Sequence, residues 1–236
     1  MLDSDFVDVP ECGERRWDGM TRMFVTCPMN VGALQAQDEV VPFTVAPCGV
    51  AEFPELERGQ DRPLRFVMVG MLGGRKDPFA LLEAWREVKR DLPEFDAELV
   101  LKTAAPGLHP RMVDVYPDVT VISEVWSSEQ VVELYRQTDV LVSVSRGEGN
   151  NKPAMEFMAT GGVVMASDWS GHQNWLHDDW SYRLPGVVVE SPHGWSDFRV
   201  DRDVLKERLV ECWRNRDRLK GMARIVTGKQ IGRAHV

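Results

Sequence analysis

Between Pro63 and Asp217 the chain alternates short apolar runs with longer amphipathic ones, and this alternation restricts the fold more than any other feature. Strand then helix, without internal repeat or low-complexity tract, implies parallel strands joined by helical crossovers, an open α/β sheet. Leu64 to Val69 is a β-rich run ending in Gly70, and Pro78 to Arg90 follows as a helix. In that helix Phe79, Leu82, Trp85 and Val88 recur at helical spacing behind a proline suited to a first turn. Ala97 to Leu101 and Val119 to Ile122 are the next strands, separated by an irregular stretch carrying Pro106, Pro110 and Pro117. Ser128 is placed to cap a helix over Glu129 to Gln137, and Asp139 to Ser145 forms a fourth strand. A short helix over Lys152 to Thr160 is closed by Gly161-Gly162, a fifth strand runs to Ser167, and Asp203 to Asn215 makes a late amphipathic helix.

The 236 residues, 43% of them hydrophobic, suffice for one large domain or for a domain with part of another. The first sixty residues read differently: Arg22 to Thr26 and Phe43 to Ala46 resemble two strands around a short helix, and Pro54 to Pro63 is charged and loop-like. A net charge of −9 with both signs dispersed disfavours binding along a nucleic-acid backbone. Cys12, Cys27, Cys48 and Cys212 show no C-x-x-C spacing, so they read as ordinary thiols. Without a basic-then-apolar leader or a long apolar run, a cytoplasmic location is expected, free or peripheral to a membrane.

In open parallel sheets ligands sit beyond the carboxyl ends of the strands, so the loops after Val69, Leu101, Ile122, Ser145 and Ser167 are the places to search. The fourth of them reads Ser145-Arg146-Gly147-Glu148-Gly149-Asn150-Asn151-Lys152-Pro153-Ala154-Met155-Glu156. With Pro153 in the first turn, Glu148 lies above a helix N-terminus and Glu156 one turn inside it, a placement that lets both face one ligand. Backbone N–H groups around Asn150, Asn151 and Lys152, with the positive end of the helix dipole, suit a diphosphate. Taken alone, Glu156 equally fits a carboxylate stabilising its own helix, and Arg75 and Lys76 equally fit solvated surface charges. His172 reads as either a ligand contact or a structural histidine. His109 reads as structural, and the tryptophans as packing residues, with Trp169 and Trp175 bordering the proposed site.

Glu-x7-Glu, then a small-residue helix, Gly-Gly and a strand over Glu148 to Ser167, resembles the donor site of the family 4 retaining glycosyltransferases of the two-domain GT-B fold. Gly70 to Trp85, with Arg75-Lys76-Asp77-Pro78, is similar to that family's phosphate-contacting loop and helix. Pro47-Cys48-Gly49-Val50 with Phe53-Pro54 resembles its linker, and Ser170-Gly171-His172 with Asp178 to Tyr182 the later part of the domain. The resemblance covers roughly Arg22 to Leu219. It implies a Rossmann-like open sheet, the C-terminal half of a GT-B fold, over residues 61–230, preceded by a remnant of an N-terminal acceptor domain and linker in 1–60.

It further implies a nucleoside-diphosphate sugar as donor, a glycan, lipid or protein acceptor held by a missing or separate acceptor domain, and no cofactor. Glu148 would bind the donor sugar's hydroxyls and Glu156 the ribose. Lys76, helped by Arg75, would neutralise the leaving diphosphate. Gly70, Gly149, Asn150, Asn151 and Lys152 would line the donor, and the base would rest near Val121, Ile122 and Ser123. The family's arginine directly after the strand glycine is Met71 here, so one cation of the usual pair would be either missing or replaced by Arg75.

No metal is expected. Asp3-Ser4-Asp5 follows no buried strand, and Asp201-Arg202-Asp203 reads as a helix start. Ile231 to Val236 back-translates as ATC GGA AGA GCA CAC GTC, which resembles a sequencing-library adapter, so residues 231–236 are expected to be a non-native tail. The readings are therefore a glycosyltransferase domain of hexosyl type, truncated and expected to transfer poorly by itself; a non-catalytic nucleotide-sugar-binding subunit acting with a partner chain; or a GT-B nucleotide-sugar epimerase.

Overall fold

A computed structural model describes residues 21–28, 42–46, 48–51, 53–59, 61–104, 115–190 and 196–229, with side chains through residue 225. His109, the helix expected between the first two strands, and residues 231–236 lie outside the described residues. Two short strands, β1 (Met23–Val25) and β2 (Phe43–Val45), pair in parallel. The main sheet holds β3 (Arg65–Val69), β4 (Glu98–Lys102), β5 (Val119–Ile122), β6 (Val140–Ser143), β7 (Val163–Ser167) and β8 (Ser181–Leu184). All its pairings are parallel, in the order β5-β4-β3-β6-β7-β8. The chain proceeds outward from β3 to β4 and β5, then returns to add β6 beside β3. The winding therefore reverses between β3 and β6, the position in an open parallel sheet where ligands commonly bind.

The inner strands β3, β4, β6 and β7 are buried on both faces, as expected where helices cover both sides of a parallel sheet. Phe66 and Met68 of β3 join one core with Leu81, Leu82, Trp85 and Val88 of α1 (Pro78–Asp91). Leu205, Leu209 and Cys212 of α4 (Arg202–Arg214) and Leu219 and Met222 of α5 (Arg216–Lys229) complete that side. Val67, the intervening residue, joins the other core with Leu134 and Tyr135 of α2 (Ser128–Arg136) and Ala154, Met155, Phe157 and Met158 of α3 (Lys152–Ala159). This period-two division of a single strand is what holds the sheet as the middle layer.

Several boundaries differ from the sequence reading for local reasons. The cap of α2 is Ser127, not Ser128: its hydroxyl accepts from Gln130 N while the Gln130 side chain accepts from Ser127 N, a reciprocal box. Phe79 is 46% exposed although it shares the period of the core residues, and Leu81 and Ala84 take its place inside. Asp201 caps α4 by accepting from Asp203 N and Val204 N, the helix-start role read for that triplet. The chain continues from α4 into α5, and β8 is followed by an antiparallel hairpin of β9 (Gly186–Glu190) and β10 (Ser196–Val200), none of which the sequence reading anticipated.

The segment read as a linker is packed down in part: Leu56 is buried in the second core and Arg58 bonds the carbonyls of Thr138 and Thr160. No helix among the described residues is long and apolar enough to cross a membrane.

Candidate functional site

The two loops flanking the reversal of strand order carry the residues singled out in the sequence. Beyond β3, Gly70 has φ 139°, and a Cβ there would stand 3.3 Å from Lys76 Cε, so glycine permits the lysine to lie across the strand end. A single 3-10 turn, Gly74–Lys76, then delivers Arg75 and Lys76, and Asp77 in left-handed conformation (φ 50°) starts α1. The Asp77 carboxylate holds this bend through Arg146 Nε at 3.0 Å and Arg199 Nη1 at 3.1 Å.

Beyond β6 the chain is bonded directly to that turn. Arg146 N donates to Arg75 O (2.9 Å), Ser145 Oγ donates to Arg75 O (3.2 Å), and Arg75 Nη1 donates to Gly147 O (2.7 Å). Glu148 is thereby turned inward, 3% exposed, with Arg75 Nη1 2.8 Å from one oxygen and Lys76 Nζ 2.5 Å from the other. Burial alone would favour the neutral acid. Lys76 first and Arg75 second outweigh it and hold the Glu148 carboxyl down at about 2.

A third loop clamps Glu148 from behind. Ser170, itself left-handed (φ 56°), donates through Oγ to Glu148 O (2.6 Å) and accepts from Glu148 N (3.2 Å), and Gly171 N donates to the same carbonyl (2.9 Å). A Cβ on Gly171 would lie 1.9 Å from Gly149 O, so the two backbones meet only because this residue is glycine. Thr26, just beyond β1, also donates to Gly149 O (3.2 Å).

The remaining proposed donor residues divide into two groups. Asn150 and Asn151 are buried beside Glu148: Asn150 O accepts from Trp175 Nε1 (2.9 Å), and Asn151 adopts φ 60° as the N-cap of α3. Left-handed geometry is tolerated by asparagine better than by most side chains. Lys152 is exposed at the first turn. Glu156 is half-buried one turn further on, where it interacts with Tyr135 and Lys152 rather than with the Arg75–Lys76–Glu148 set. Burial raises its carboxyl, opposed by Lys152 and by the Tyr135 hydrogen bond.

Val121 and Ile122 point to opposite faces of β5, one against each core, and Ser123 follows half-buried past the strand end. Lys102, a residue the sequence reading passed over, ties this region together. Its ammonium donates to Glu124 O (2.6 Å) and Thr103 O (3.3 Å) and lies 5.0 Å from the centre of the Trp126 ring. The available signal was a lysine ending the apolar run Leu99-Val100-Leu101. Arg146, inside the Ser145 to Glu156 loop, was likewise missed.

Residues 63–197, more than half of the chain, match the family model described as "Glycosyl transferases group 1". The chain belongs to this family. No curated protein matches the sequence significantly.

Among solved structures the chain is similar to the pneumococcal O-GlcNAc transferase GtfA in complex with UDP and GlcNAc (TM-score 0.67, 16% identity, 90% of this chain and 42% of that one). It is also similar to a sucrose-phosphate synthase from Thermosynechococcus elongatus (TM-score 0.70, 18% identity, 89% of this chain and 53% of that one). The C-terminal domain of the group 1 glycosyl transferase LpcC from Francisella tularensis matches with a TM-score of 0.57 and 18% identity, over 75% of this chain and 92% of that domain. These likenesses agree with a Rossmann-like C-terminal half of a GT-B fold. The chain spans about half or less of the length of the two full transferases.

Proposed function

We propose that this group 1 glycosyl transferase domain binds a nucleoside-diphosphate sugar across the ends of β3 and β6 and transfers its hexosyl group with retention, as the resemblance to family 4 implies. The acceptor is a hydroxyl of a glycan, lipid or protein. The observation that carries this reading is the convergence of Lys76, Arg75 and Glu148 on one buried contact set at the strand-order reversal. The UDP and GlcNAc held by the pneumococcal transferase support a ligand of this chemical class.

In this reading the bond from the anomeric carbon to the diphosphate oxygen breaks and its electron pair stays with the diphosphate. Lys76 and Arg75 stabilise that charge, most strongly as the bond breaks. The acceptor oxygen bonds the anomeric carbon on the face the diphosphate leaves, and the acceptor's proton goes to the departing diphosphate. Glu148 reads the sugar hydroxyls and Glu156 the ribose. The chain's own cations supply the charge, so chelation by EDTA is expected to leave donor hydrolysis unchanged. The location we propose is cytoplasmic.

A thermal-shift screen with UDP-, GDP- and ADP-sugars is expected to raise the melting temperature for one base, since ligand bound only to the folded state stabilises it. Glu148→Gln and Lys76→Ala are expected to suppress hydrolysis of that donor. No shift with any donor overturns the reading. Binding without turnover, even with candidate acceptor domains, would turn it into a donor-binding subunit.

A further inference from the structure

His172 is the one fully buried histidine among the described residues, and the donor reading leaves it without a task. Its neighbours determine which ring nitrogen carries hydrogen. Nδ1 lies 2.9 Å from the carbonyl oxygen of Ser167, which only accepts, and 3.0 Å from Ser167 Oγ, whose hydrogen is directed to Ser145 O at 2.7 Å. Nδ1 therefore donates, and in a neutral ring Nε2 is left as an acceptor. Burial keeps the ring neutral, lowering its pKa to about 4, although Glu148 works in the opposite direction.

The Nε2 lone pair meets the Asn151 carboxamide. Asn151 Nδ2 lies 2.9 Å from Nε2 and donates to Ser143 Oγ at 2.8 Å, so both of its hydrogens are engaged. The amide is thus oriented with Oδ1 on the other side, where Lys76 Nζ stands 3.5 Å away. Turning the amide over would set its oxygen against the Nε2 lone pair and its NH2 group against the Lys76 ammonium, two repulsions in a buried place.

We propose that His172 is a positioning residue for Lys76: through the Asn151 carboxamide it holds the lysine ammonium beside Glu148, where the diphosphate is to be met. The inference rests on the donor reading above. The charged groups facing His172 are Glu148, Lys76 and Arg75; Ser143, Ser167 and Asn151 supply its polar contacts, and the Trp175 ring packs edge-on at 5.1 Å. The arrangement requires a histidine that never becomes an imidazolium at working pH, because a second N–H would face the amide hydrogens.

The test compares binding of UDP, GDP and ADP, by calorimetry, to the whole chain and to four variants. For the nucleoside diphosphate that binds, His172→Leu is expected to weaken Kd by about tenfold. His172→Gln, which keeps an acceptor toward Asn151, is expected to stay within about threefold of the parent. In a Lys76→Met background, adding His172→Leu is expected to change nothing further, since the residue it positions is gone. An equal loss in both backgrounds, or a glutamine as damaging as leucine, shows a merely structural histidine and overturns the proposal; so does no loss at all.

A parent that binds none of the three ligands overturns the donor reading itself, and this inference with it. Should His172→Leu fail to fold, nitrogen NMR of the parent decides: a neutral imidazole protonated on Nδ1 from pH 5 to 8 is expected. An imidazolium, or hydrogen on Nε2, overturns the proposal.

Discussion

Arg58 and Lys76 are both cations drawn into the body of the domain, at opposite ends of the same strands, and they are satisfied in different ways. Arg58, at the end where β6 and β7 begin, spends its guanidinium on Thr138 O (2.8 Å), Leu56 O and Thr160 O (3.1 Å each) and Thr160 Oγ1 (2.8 Å). Thr160 is the C-cap of α3 and Thr138 follows α2, so the cation sits where two helix dipoles present their negative ends. Its aliphatic and planar bulk lies over Phe157, 5.0 Å from the ring centre.

Lys76 instead faces a buried carboxylate and one amide oxygen. Dipoles built into the backbone answer Arg58 permanently. The charge answering Lys76 sits on a side chain assigned to a substrate, on loops held by glycine contacts and left-handed residues. A cation locked among carbonyls serves the fold, whereas under the proposed donor reading one paired with a side-chain carboxylate also meets the diphosphate.

The comparison breaks first at Lys76. Lys76→Ala is expected to lower donor turnover by about 10²–10³, about 3–4 kcal/mol of lost transition-state stabilisation, and to lower the melting temperature too, because buried Glu148 is left with Arg75 alone. Steady-state rates beside calorimetric unfolding check this, and an unchanged rate would place Lys76 with the structural cations. Arg58→Ala is the converse case. Losing charged hydrogen bonds to four acceptors is expected to cost about 2 kcal/mol of stability in a urea titration, while Kd for the donor stays as in the parent.

The pH dependence should distinguish the two ends next. His172 is lowered from 6.5 to about 4 and Glu148 from 4.5 to about 2, so the unfolded chain binds more protons in those intervals. Stability is expected to be fully present above pH 6.5, to decline toward pH 4 as the unfolded histidine protonates, and to decline again toward pH 2 through Glu148. Arg58, lowered by burial to about 10, contributes nothing to this profile below pH 9. Urea midpoints from pH 3 to 8 test the order, and a flat profile between pH 6.5 and 4 would contradict a neutral His172.

The smallest effect is expected at Arg90, whose exposed pair with Asp91 has side chains 70% and 55% accessible. Arg90→Ala should change the urea midpoint less than any of the variants above. A larger change would mean that exposed charges on this domain count for more than the two buried sites suggest.

Much of the fold was legible because its signals are local. Pro78 and Asp201 announce helix starts, the Ser127-Ser128 pair announces that of α2 to within one residue, and the apolar runs of β3 to β7 announce strands, since caps and periodicity act within a few positions. The later elements were less legible. β9 is mostly exposed and carries no alternation to read, and α5 follows α4 after Asn215 with no glycine or proline between them. At the site, the Glu148 to Glu156 run and the Arg75-Lys76 pair stood out as charges in loops after strands. Arg146, Lys102 and Ser170 did not, because their roles depend on backbone carbonyls and carboxylates brought from distant parts of the chain.

The sequence by itself determined the parallel α/β architecture and the two short runs that carry the candidate chemistry, because hydrophobic period and helix capping are decided by near neighbours. Only the tertiary structure decided that β6 returns beside β3, setting Lys76 against Glu148, and that His172 is a buried neutral acceptor. Strand order and desolvation are properties of the packed chain: the same local pattern fits several orders, and a histidine's charge depends on which atoms surround it once water has been excluded.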